Sequence, residues 1–64
     1  MTQKELLYVE DAIGHEKNMI SIIEGTLDML QDESLITFLE KELKKHVSME
    51  EKLMNMLEEK NNEW

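Results

Sequence analysis

Along the first half of the chain, apolar residues recur at steps of three and four: Leu6, Val9, Ile13, Ile20, Ile23, Leu27 and Leu30. That period belongs to one face of an α-helix. Thr2 followed by Glu5 has the form of a capping box, so the helix starts near Gln3. The rhythm is broken by "QDES" at 31–34. There Asp32 or Ser34 can cap a second helix, and Glu33 suits its first turn. Beyond it, Ile36, Leu39, Leu43, Leu53 and Leu57 take the spacing up again. Leu, Met, Glu and Lys dominate both segments and there is no proline, which favours uninterrupted helix. The pattern predicts one all-α domain over residues 1–64, with helix 1 at about 3–31, a turn at about 32–34 and helix 2 at about 34–61. A turn that short forces an antiparallel two-helix hairpin.

Both apolar stripes are wider than one hairpin can cover. On helix 1, Ala12, Met19 and Thr26 flank the seam on one side, with Tyr8, Ile22 and Met29 beyond them. On helix 2, Leu35, Met49 and Met56 flank it on one side and Val47 and Met54 on the other, with Phe38 further round. A chain of 64 residues buries little of its own surface, and without cysteine it has no disulfide to help. The expectation is a homodimer or higher homo-oligomer, in which two hairpins close a four-helix bundle.

Charge narrows the partners. Seven Lys+Arg against 15 Asp+Glu give a net charge of −8, which argues against nucleic acid and against an anionic membrane surface. No apolar run approaches the roughly 20 residues that span a bilayer, and "MTQKELLYVEDA" is too acidic for a signal peptide. The reading is a soluble, cytoplasmic protein with no organic cofactor.

Three polar residues interrupt the seams. The rhythm of helix 1 demands an apolar residue at position 16 and finds Glu16; that of helix 2 finds His46 and Glu50. If the helices meet at a turn near residue 32, facing positions sum to about 64, and Glu16 faces the midpoint between His46 and Glu50. Two such hairpins bring four carboxylates and two imidazoles to the bundle centre. Burying four carboxylates without a cation is prohibitive, and this donor set is that of carboxylate-bridged dinuclear sites, suited to Fe, Mn or Zn. The candidate ligands are Glu16, His46 and Glu50. Glu42, one turn before His46, is a substitute, and His15 sits at the stripe's edge. Against this stands a plainer reading, in which Glu16 is a register-setting polar group hydrogen-bonded to His46.

The segments "KELLYVEDAIGHE" at 4–16, "LQDESL" at 30–35 and "KKH" at 44–46 resemble a group of small clostridial spore-coat-protein-like proteins, related to coat protein F. The resemblance implies a ferritin-like helical fold, with this hairpin as half of a ferritin-like four-helix bundle, and marks Glu16 and His46, with His15, as polar positions. Ferritin-like proteins carry Glu-x-x-His on the second helix, whereas Leu43 stands three residues before His46 here. Three functions follow: a metal-binding hairpin with redox chemistry at a homodimer centre, a metal-free structural protein of the spore coat, or an acidic adaptor for another helical protein.

Overall fold

The computed structural model describes residues 1–62, with side chains to Glu58. Two helices, α1 (Gln3–Leu27) and α2 (Glu33–Asn62), pack against each other as a hairpin. The capping box forms in full. Thr2 Oγ1 accepts from the Glu5 N–H at 3.1 Å, and Glu5 Oε1 accepts from the Thr2 N–H at 2.8 Å. At the second start, Asp32 is the cap. Its Oδ1 accepts from the backbone N–H groups of Ser34 and Leu35 at 2.9 and 3.1 Å and from the Ser34 hydroxyl at 2.6 Å.

Helix 1 stops four residues short of the expected end. After Leu27 the chain tightens into three-residue turns, with Met29 N–H donating to the Thr26 carbonyl at 3.0 Å and Leu30 N–H to that of Leu27 at 3.4 Å. The Thr26 hydroxyl also bonds back to the Ile22 carbonyl at 2.8 Å, a contact that competes with helix propagation. The connector is therefore residues 28–32 and not 32–34. Leu30 keeps its apolar rhythm because it folds back, half-buried, over the end of the seam. An apolar residue at a helical spacing marks contact with the core, and a closing turn supplies that contact as well as a helix does.

The seams are where the periodicity places them. Every position from Leu6 through Leu30 on the first and from Ile36 through Leu57 on the second is buried or half-buried, Glu16, His46 and Glu50 included. Yet among the described residues only Ile13 and Ile23 are buried outright. The hairpin measures 48 × 15 × 12 Å with a radius of gyration of 14.8 Å. A compact globule of 64 residues would have about 11 Å, and one of 128 residues about 14 Å.

Candidate functional site

Each seam consists of two rows. At 3.6 residues per turn, α1 contributes Leu6, Ile13, Ile20 and Leu27 as one row and Val9, Glu16 and Ile23 as the other, with Leu30 of the connector closing its end. On α2 the rows are Ile36, Leu43, Glu50 and Leu57, and Leu39, His46 and Leu53. Because the helices run antiparallel, their rotations run in opposite senses, which sets the rows of Glu16 and His46 on the same broad side of the hairpin. The two side chains meet there. His46 Nδ1 lies 2.5 Å from Glu16 Oε2, with 25% and 18% of the respective side chains exposed. Against an ionised carboxylate, which can only accept, Nδ1 is the donor of this contact; its role depends on the ring's tautomer.

The expected trio is a pair. The Glu16–His46 contact sets facing positions to a sum near 62, two below the expected value, so the register selects His46 rather than the midpoint between His46 and Glu50. Glu50 belongs to the other row and lies a helical turn away, roughly 6 Å along the axis, level with Ala12. Glu42 pairs with Lys45, Nζ to Oε1 at 3.3 Å, and His15 is exposed. Among the described residues, no group of three or more His, Cys, Asp or Glu is placed to hold a metal ion. Within one hairpin, Nδ1 and Oε2 face each other.

Opposite the charged surface lies a face that the seam analysis does not resolve. Of the large apolar residues left exposed, Tyr8, Met19 and Ile22 from α1 and Leu35, Phe38, Met49 and Met56 from α2 lie on one broad side, that of the Glu16–His46 rows, where the same rows also carry Glu5, His15, Glu42, Lys45 and Lys52. Tyr8 and Met56 line one shallow groove together with Met1, Glu5 and Val9, which ties the two flanks to a common surface. The other broad side carries Glu10, Lys17, Glu24, Glu40 and Glu58, all exposed, interrupted by Leu7, Val47 and Met54. Each flank is legible in the sequence. That the two flanks share a side follows only once the helices are set antiparallel and the rotation is carried down both.

A second groove lies along the outer edge of α2, lined by Lys44, Lys45, Ser48, Met49 and Lys52. Met49 joins it to the apolar face, so a lysine rim borders that face on the α2 side. The corresponding rim of α1 carries Lys4, Asp11 and Asn18, with His15 in the row of Tyr8 and Ile22. Lys4 Nζ lies 6.0 Å from the centre of the Tyr8 ring. No described helix is long and apolar enough to cross a membrane. No family model matches the chain, and no curated protein or solved structure shows significant similarity to it.

Proposed function

We propose that this chain is a self-assembling helical hairpin, two copies of which close a four-helix bundle over the apolar face. The one-sidedness of the exposed apolar residues carries the reading. Surface area supports it. The chain exposes 5220 Å², whereas a folded monomer of 7.6 kDa exposes about 4300 Å². The excess, about 900 Å² per chain, is close to the roughly 800 Å² that each partner gives up in a stable interface. In this reading the Glu16–His46 pair fixes the register of the hairpin, and the bundle serves a structural role. Light scattering coupled to size exclusion tests it: the expected mass at micromolar concentration is at least twice 7.6 kDa. A folded monomer at that concentration overturns it.

One observation favours a second reading. Because Glu16 and His46 lie in the rows nearest the apolar face, closing the bundle draws two pairs together, with Glu42 of each chain on the same side. That donor set, supplied by two protomers where one is insufficient, suits Fe, Mn or Zn. The test is thermal melting of chelator-treated protein with and without each metal. A specific metal site raises the melting temperature by mass action on the folded state; melts that superimpose for all three metals exclude it.

A further inference from the structure

Only two two-fold arrangements lay the apolar face of one hairpin on that of another. With the axis along the helices, both turns lie at the same end and α1 packs beside α2 of the partner. With the axis across the helices, the turns lie at opposite ends and each helix packs beside its own copy. Resting on the homodimer proposed above, we infer that the first holds: the hairpins are parallel, and α1 of each lies against α2 of the other.

The lysine rim decides between them. In the opposed arrangement the rim of α2 meets its own copy, so Lys45 and Lys52 of both chains line one edge, with Lys41 and Lys44 close behind. Glu42 pairs with Lys45 within each chain, which offsets that lysine and leaves the repulsion chiefly to Lys52. Like charges held at an interface rim disfavour the register that brings them together. In the parallel arrangement the rim of α2 meets α1 instead, and the levels match. With facing positions summing to about 62, Lys52 falls near Tyr8, Asp11 and Ala12 of the second copy and Lys45 near His15, Asn18 and Met19 of the second copy, so neither meets the other chain's lysine rim. Size matches too. Phe38, more than half exposed, falls beside Ile22 and Thr26 of the second copy, where the Thr26 side chain is short and its hydroxyl is turned back to the Ile22 carbonyl. Of the acidic residues of α1, Glu10 and Glu24 lie on the far broad side and do not enter either contact, whereas Glu5 lines the groove of Tyr8 and Met56.

The chain has no cysteine, so one label site can be introduced cleanly. Gln31, exposed in the connector and outside the face, marks the turn end of the hairpin. A nitroxide on Gln31→Cys, measured by double electron–electron resonance, should give a separation of about two interhelical spacings, roughly 20 Å, in the parallel bundle. A separation near the 48 Å length of the hairpin, with a dimeric mass, overturns the parallel arrangement and leaves the dimer standing. A monomeric mass with no dipolar coupling overturns the dimer itself.

Discussion

Deleting one member of the Glu16–His46 pair is a different perturbation from deleting both. His46→Leu strands a half-buried carboxylate, 18% exposed, and an unsatisfied acceptor costs up to about 1–3 kcal/mol when fully buried, less here. Replacing both with leucine restores the apolar rhythm, and substituting a whole buried polar pair is commonly neutral or stabilising. The expected result is a lower melting temperature for His46→Leu and an equal or higher one for Glu16→Leu/His46→Leu. The double variant should also lose uniqueness, giving more than one set of backbone resonances as the all-apolar seam slips. A double variant that melts well below the wild type would refute the register-setting role. The pair itself was legible as two interruptions at one level of the hairpin. Glu50 was not separable from it, because a sum rule built on an assumed turn is uncertain by a residue or two, and one step of four along a helix changes the row.

Helix ends show how far local chemistry reaches. Both starts follow from three or four residues: Thr2 with Glu5, and Asp32 with Ser34 and Leu35. The Ser34 hydroxyl first, then the N–H groups of Leu35 and Ser34, hold the Asp32 carboxyl below its ordinary 3.8. A depressed folded value means that the ionised cap stabilises above the unfolded value and that this contribution fades as pH falls through the lower folded one. The gap in melting temperature between wild type and Asp32→Ala should therefore be wide at neutral pH and narrow well below pH 3.8; a gap constant with pH would show that the carboxylate's charge is irrelevant to the cap. The end of α1 was not legible, since Leu30 satisfies the seam without being helical. Gly14 and Gly25 are a further test at this scale. Both are helical, and a Cβ at either would meet no atom within 4 Å. Gly25→Ala should gain about 1 kcal/mol from helix propensity. A loss instead would mean that another helix approaches α1 from outside the bundle.

At the scale of the molecule, the fold class and the seams were readable because a 3.6-residue period is a local signal, whereas the face that drives assembly is a relation between two helices and appears only when their directions are fixed. That relation supplies a controlled comparison. Phe38 and Leu7 are equally accessible in the hairpin, at 58% and 57%. Phe38 lies on the apolar-face side of α2, at its outer flank in one row with Lys45 and Lys52, while Leu7 lies on the opposite broad side of α1. If exposure alone mattered, a glutamate at either position would act alike. If two hairpins close over one face, only Phe38→Glu inserts a charge between them. Two-fold symmetry then counts the loss twice, and burying an aromatic side chain is worth about 1.5–3 kcal/mol per copy, so the dimer dissociation constant should rise roughly 100-fold or more. Leu7→Glu should leave it unchanged. Because a dimer's stability depends on protomer concentration, the wild type and Leu7→Glu should melt at temperatures that rise with concentration, while Phe38→Glu should melt lower and independently of it. Sedimentation equilibrium across a dilution series reads the same constants directly. Matching behaviour of the two variants would place the assembly contact elsewhere on the hairpin.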